Sequence, residues 1–236
     1  MKPKLFTIEN EDCLEGMEKL DAKCFDYAFT SPPYNRKRND KYELYDDIRD
    51  DYYYFVCRCI EEMLRITKNH VFVNIQTNYY NRSAVYKLIG NYCEKIQNII
   101  IWEKSNPLPA SGHNITNAYE LFLILGEAPI KSSTTYTKNI ITTSVNSEST
   151  TKIHKAVMKQ EVADWMFEKF IPAKSTVIDP MMGLGTTAVA AEKYGCSWFG
   201  YEIVPKYVNK AWERIISSRR MLTNNKIGDI INAERE

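Results

Sequence analysis

The sequence predicts an α/β fold built on a mostly parallel sheet, and three observations carry that prediction. Short apolar runs alternate with longer segments of helical periodicity, the pattern of strands joined by crossover helices. Two of these runs end in turn-forming sequences, Ser31-Pro32-Pro33 and Met182-Gly183-Leu184-Gly185. The composition is that of a folded chain, with 236 residues, 44% hydrophobic and 26% charged. That size suggests one domain, and that balance argues against wholesale disorder.

The elements follow in order. Residues 5–8 read as a short strand and residues 25–30 as a second, closed by Ser31-Pro32-Pro33. Residues 52–66 place apolar side chains at helical spacing, residues 71–75 are an apolar strand, and 84–93 read as a helix. Strands are expected at 99–102 and 119–125, the latter ended by Gly126 and Pro129. Between Ser132 and Thr151, 12 of 20 residues are serine or threonine. Such a stretch buries little, so it is expected to be a surface insertion or mobile loop. Val162, Trp165, Met166 and Phe170 then share one helical face, 176–178 is a strand, and a helix opens at Gly185 and runs to Tyr194. Residues 197–201 form a last strand, and Tyr207, Val208, Ala211, Trp212 and Ile215 line a final amphipathic helix. The tail after Arg220 is polar and is expected to fray.

Several classes are set aside. No stretch approaches the ~18 to 20 apolar residues needed to span a bilayer, and residues 1–10 hold no long apolar run of a secretion signal. A soluble cytoplasmic protein without membrane attachment is expected. The six cysteines form no Cys-x-x-Cys pair and the three histidines lie far apart, so no metal site is predicted and reduced core thiols are expected. Lysine plus arginine number 31 against 30 aspartate plus glutamate, a net charge of +1, which offers no basic footprint for nucleic acid. The average conceals segregation. Glu9, Glu11, Asp12, Glu15 and Glu18 have no base among them, whereas positive residues gather in 36–41, 131–159 and 206–226.

Two motifs carry chemistry. Asp179-Pro180-Met181-Met182-Gly183-Leu184-Gly185-Thr186-Thr187 follows a strand and opens a helix. Its glycines let a ligand approach the turn, and the helix N-terminus offers free N–H groups. A dinucleotide fingerprint or a plain tight turn fits the glycines as well, and a Walker A loop is disfavoured because no Gly-Lys-Ser/Thr is present. Glu202, at the end of the next strand, is placed to accept from both ribose hydroxyls of a nucleoside. The second motif, Thr30-Ser31-Pro32-Pro33-Tyr34-Asn35, also ends a strand. Its two prolines fix φ and bring no N–H of their own, so Ser31 Oγ and the Pro32 carbonyl can face an amine together. Tyr34 offers a flat surface for a base, and a rigid turn is the plain alternative.

Together the motifs resemble the amino-group DNA methyltransferases that use S-adenosyl-L-methionine. The resemblance covers nearly the whole chain, and the catalytic loop precedes the cofactor loop by about 150 residues, as in the β-type permutation of that family. It implies a circularly permuted, Rossmann-like methyltransferase fold with a mostly parallel seven-stranded sheet. The catalytic part would be residues 1–126, a short target-recognition insertion or mobile loop 127–153, and the cofactor-binding part of the same domain 154–236. By resemblance Ser31, Pro32, Pro33 and Tyr34 are catalytic. Asp12, Cys13, Thr30, Asp179, Pro180, Gly183, Gly185, Thr186, Thr187 and Glu202 hold the cofactor, with Asp12 on its adenine. Arg36, Lys37, Arg38 and Lys41 follow the catalytic loop and are expected to hold phosphates of double-stranded DNA, a solvated charge run being the alternative. Trp102, Lys104, Asn106, Pro107 and Pro109 form a further family-like segment. His154-Lys155-Ala156 is similar to the family's His-Pro-Ala but carries lysine for proline, so no role passes to His154.

The implied reaction is direct methyl transfer to the exocyclic amine of a flipped base. A Ser-Pro-Pro-Tyr loop resembles the N4-cytosine enzymes, and N6-adenine stays open because both bases present the same amine. A carbon-methylating enzyme is set aside because no cysteine follows a proline. An inactive DNA- or cofactor-binding regulator, a nicotinamide oxidoreductase and an RNA substrate are the rival readings. A homodimer and a cognate restriction endonuclease are partners the resemblance raises.

Overall fold

The computed structural model describes residues 1–36, 47–109, 115–145 and 157–233. Among these, eight strands form one sheet in the order β1-β8-β7-β2-β3-β5-β4-β6. The strands are β1 (Thr7–Glu9), β2 (Tyr27–Thr30), β3 (Val71–Ile75), β4 (Ile96–Lys104), β5 (Tyr119–Leu125), β6 (Ile140–Thr143), β7 (Thr176–Asp179) and β8 (Ser197–Tyr201). The helices are α1 (Cys13–Glu18), α2 (Tyr52–Ile66), α3 (Arg82–Asn91), α4 (Gln160–Phe170), α5 (Thr186–Lys193) and α6 (Pro205–Ala233). The α/β class is as expected. Pairing is parallel except where β5 runs antiparallel between β3 and β4.

Alternation along the strands divides the core into two layers. Val71, Val73 and Ile75 of β3 face α1, α2 and α3, whereas Phe72 faces α4, α5 and α6. Helix α2 meets the first layer with Phe55, Val56, Ile60 and Met63, all nearly inaccessible, a stripe at i, i+1, i+5, i+8 that lies on one helical face. Helix α5 meets the second with Ala188, Ala190 and Ala191. Small side chains there let it lie close to the sheet. None of the described helices is long and apolar enough to cross a membrane.

Three elements depart from expectation. The sheet has an eighth strand, because residues 140–143 of the Ser/Thr-rich segment pair in parallel with β4, Ile101 opposite Ile140 and Lys104 opposite Thr143. Threonine and isoleucine are β-branched and suit an edge strand that is half exposed. The serines before it are also fixed. Ser133 N donates to Lys169 O at 2.7 Å and Ser133 Oγ to Glu168 O at 2.9 Å, satisfying carbonyls left open at the end of α4. The helix after β8 does not stop near Arg220 but runs to Ala233. Finally, α1 was not anticipated. Asp12 Oδ1 caps it by accepting from Leu14 N at 2.9 Å and Glu15 N at 3.3 Å, while Leu14 and Met17 bury its inner face.

Candidate active site

Strands β2 and β7 lie side by side, with Tyr27 opposite Val177 and Ala28 opposite Ile178. Helix α2 leaves β2 toward one face of the sheet and α5 leaves β7 toward the other. The two connections therefore diverge, and a crevice opens at the carboxyl ends of the strands, where ligands bind in open α/β sheets. Both chemistry-bearing motifs sit there. A single cleft is lined by Asp12, Cys13, Ser31, Pro32, Pro33 and Tyr34 from one side and by Asp179, Pro180, Gly183, Thr186, Thr187 and Glu202 from the other.

The floor is tied together by one carboxylate. Asp179 Oδ1 accepts from Thr30 Oγ1 at 2.8 Å and from Met181 N at 3.0 Å, and Oδ2 accepts from Thr187 Oγ1 at 2.5 Å. Burial pushes its pKa up to about 6 against these three donors, because desolvation penalises the charged form. Thr30 is fully buried behind this contact and does not line the cleft. Its hydroxyl instead joins β2 to β7.

Gly183 has φ +53 and would carry a Cβ into open space, with only Met181 O near it at 4.0 Å. Any side chain here would project into the space a ligand needs. Gly185, with φ +79, begins α5 and packs on Ala211, whose Cβ would be 3.2 Å from an added methyl. It shapes the turn from behind and is not a lining residue. Glu202 closes this side. Its Oε2 accepts from Gly183 N and its Oε1 from Val204 N, both at 2.8 Å, and burial raises its pKa. Ile203 N also approaches this carboxylate, and its remaining lone-pair capacity is open to a ligand hydroxyl. An open glycine turn, a helix N-terminus and an oriented carboxylate fit a nucleoside cofactor. Asp12 lines the same cleft, with one oxygen committed to the α1 cap.

The opposite wall holds a polar cluster that the sequence reading missed in part. Ser31 Oγ lies 2.9 Å from Tyr34 Oη and 3.2 Å from Asn74 Oδ1. Tyr34 Oη is 2.7 Å from Asn74 Oδ1 and 3.0 Å from Glu120 Oε2, and Lys104 Nζ donates to Glu120 Oε1 at 2.5 Å. Tyr34 was expected to offer a flat surface to a base. It lines the cleft but is only 6% exposed, and burial together with Glu120 raises the pKa of its hydroxyl. The loop is braced from outside by Asn78 Nδ2, which donates to Tyr34 O at 2.7 Å. Asn74, Asn78 and Glu120 were not singled out, because each is an isolated polar residue in or beside a strand. The one available signal was a polar residue interrupting an apolar strand, Asn74 in Val71–Ile75 and Glu120 in Tyr119–Leu125.

Arg36 is exposed next to this loop. Lys37, Arg38, Lys41 and His154 lie outside the described residues. Among the described residues no group of three or more histidine, cysteine or acidic side chains is placed to hold a metal ion.

The family model for DNA methylases of the N6/N4 class matches residues 25–213. The chain is 25% identical over 245 residues to the type II methyltransferase M.HinfI of Haemophilus influenzae, covering 89% of this chain and 68% of that protein. It is 25% identical over 215 residues to the type II methyltransferase M.MwoI of Methanothermobacter wolfeii, covering 84% of this chain and spanning only 31% of that relative. Among solved structures, the PvuII DNA methyltransferase (cytosine-N4-specific) superposes with a TM-score of 0.71 at 17% identity over 94% of both chains. The M1.HpyAVI–SAM complex does so at 0.66 and 18%, over 89% of this chain and 98% of that one.

Proposed function

The chain belongs to the N6/N4 DNA methylase family, and from that premise we propose that it methylates an exocyclic amine of a flipped DNA base, N4 of cytosine, with S-adenosyl-L-methionine as donor. The observation that carries this reading is that Ser31 and Pro32 face the same cleft as Gly183 and Glu202. An amine acceptor and a nucleoside cradle thus share one cleft.

When bound, S-adenosyl-L-methionine supplies an electrophilic methyl group on a sulfonium. Gly183 and the start of α5 would lie along that cofactor, and Glu202 would accept from its ribose hydroxyls. The chain's own part in the reaction is positional and electrostatic. An exocyclic amine is a poor nucleophile because its lone pair is delocalised into the ring. Ser31 Oγ and the Pro32 carbonyl accept its two hydrogens, draw the nitrogen toward tetrahedral geometry and aim its lone pair into the cleft. Tyr34, which lines the cleft, would stack on the base. Because Asn74 and Glu120 clamp its hydroxyl, the ring is held ready before the base arrives. Extrusion of the base costs a few kcal/mol, and Arg36 beside the loop is suited to hold a phosphate of the displaced nucleotide. The 127–153 segment, with its edge strand, is proposed as part of the target-recognition region.

Cytosine is favoured because the Ser31-Pro32-Pro33-Tyr34 loop resembles that of the N4-cytosine enzymes. Adenine N6 is the second reading, since the same two acceptors suit its amine. Incubation of the purified chain with mixed-sequence DNA and methyl-labelled cofactor, followed by nucleoside mass spectrometry, tests both. We expect 4-methylcytosine, and its loss in Ser31→Ala and Tyr34→Ala. Appearance of 6-methyladenine alone would overturn the cytosine assignment. Absence of any methylated base would overturn the reading itself.

A further inference from the structure

We propose that Ser31, Tyr34 and Glu120 form a proton relay that carries the amine proton away from the reacting nitrogen, with Glu120 as its terminal acceptor. The inference rests on the methyltransferase reading above. The oxygens are consecutive hydrogen-bond neighbours, with Ser31 Oγ to Tyr34 Oη at 2.9 Å and Tyr34 Oη to Glu120 Oε2 at 3.0 Å. The path runs inward from the cleft. Ser31 lines it, Tyr34 is 6% exposed, and Glu120 is also 6% exposed on β5.

A relay answers a chemical need of this site. As the bond to carbon forms, the amine nitrogen gains positive charge and must lose a proton, yet Ser31 is neutral and a poor base. In the relay the N–H bond breaks and its electron pair stays on nitrogen. The proton passes to Ser31 Oγ, the Ser31 hydroxyl proton passes to Tyr34 Oη, and the Tyr34 proton passes to Glu120 Oε2. Each hydroxyl gives one proton and takes one. The methylated amine leaves neutral, and the carboxylate becomes a carboxylic acid.

The surroundings suit that task. Lys104 donates to the other oxygen, Glu120 Oε1, at 2.5 Å, so a carboxylate is held in a site where an unpaired charge would be costly. The Lys104 side chain is 15% exposed against 7% for Glu120. Lys104 is therefore the more exposed member of the pair, and the Glu120 carboxylic acid returns its proton to water between turnovers. Asn74 Oδ1, at 2.7 Å from Tyr34 Oη and 3.2 Å from Ser31 Oγ, is a positioning residue that competes for the single proton of each hydroxyl, and the relay is connected when the Ser31 proton turns to Tyr34 Oη and the Tyr34 proton to Glu120 Oε2. Its Nδ2 side faces Leu121 O at 3.4 Å, which fixes the amide with its oxygen toward the hydroxyls.

The experiment compares wild type, Glu120→Gln, Tyr34→Phe and the double variant. Glutamine keeps the shape and the hydrogen-bonding capacity of Glu120 but cannot take the proton. The single-turnover methyl-transfer rate of Glu120→Gln is expected to fall about 10²-fold, the size of a general-base contribution, with dissociation constants for cofactor and DNA changed by no more than about threefold. The double variant is expected to be no slower than the slower single variant, because both break one path. A second readout needs no turnover. In chain labelled with ¹³Cζ-tyrosine, Glu120→Gln should move the Tyr34 resonance without cofactor or DNA. A Glu120→Gln protein that transfers at the wild-type rate, or a Tyr34 resonance that does not move, overturns the relay and leaves the methyltransferase reading in place. A wild-type chain that methylates no base overturns both.

Discussion

Asp179 shows how a residue that reads as a ligand-binding group can be a structural hinge as well. Its place after an apolar strand and before a glycine turn was legible in the sequence. Its partners were not, because Thr30 is 149 positions away along the chain. Its carboxyl has a pKa near 6 in the fold against an ordinary value of 3.8. Between those pH values the unfolded chain has released the proton and the folded chain keeps it. Stability from this group is therefore complete below about pH 4 and is lost as pH rises to 6, by on the order of 3 kcal/mol. Asp179→Asn cannot titrate, so its stability should fall less across this window than that of wild type. Urea titrations of both proteins at pH 4, 5, 6 and 7 measure this, and equal slopes would show that Asp179 does not hold a raised pKa.

Elements with a continuous apolar face were legible, and a short capped helix and a polar edge strand were not. Helix α2 (Tyr52–Ile66) and strands β3, β5 and β8 agree with the sequence reading to the residue, because each presents a continuous apolar face. Helix α1 has six residues, too few for a period to show, although Asp12 two positions before Leu14 is an N-cap signal. Strand β6 lay hidden in the Ser/Thr-rich segment because its attachment is polar. Thr143 Oγ1 accepts from Trp102 Nε1 at 2.9 Å and donates to Ser144 O at 2.9 Å, and Thr143 and Trp102 are both buried. Thr143→Val keeps the shape and strands the indole N–H. A loss of about 1 to 3 kcal/mol is expected, read from the shift in denaturation midpoint at constant m-value. Unchanged stability would mean that β6 is held by its ladder alone.

The chain as one body is organised by the divergence of α2 and α5 between adjacent strands, which makes a crevice and puts both motifs on its rim. A net charge of +1 says nothing about this rim, because acidic and basic residues are segregated along the chain. On the proposed function, Arg36 holds a phosphate there. Arg36→Glu should weaken DNA binding and reduce the slope of log affinity against log salt by about 1, measured by fluorescence anisotropy over a salt series. A parallel plot for the variant would remove Arg36 from the interface. What could be read from sequence was whatever depends on neighbours in the chain: the apolar runs, the helix periods, the two strand-end turns and the residue types within them. Their meeting could not, nor could the burial of Tyr34 or the Ser31–Tyr34–Glu120 line of oxygens. Those contacts join β2, β3, β5 and β7, whose adjacency is set by sheet order, and sheet order is settled only when both faces of the sheet are covered and every strand has found its partner.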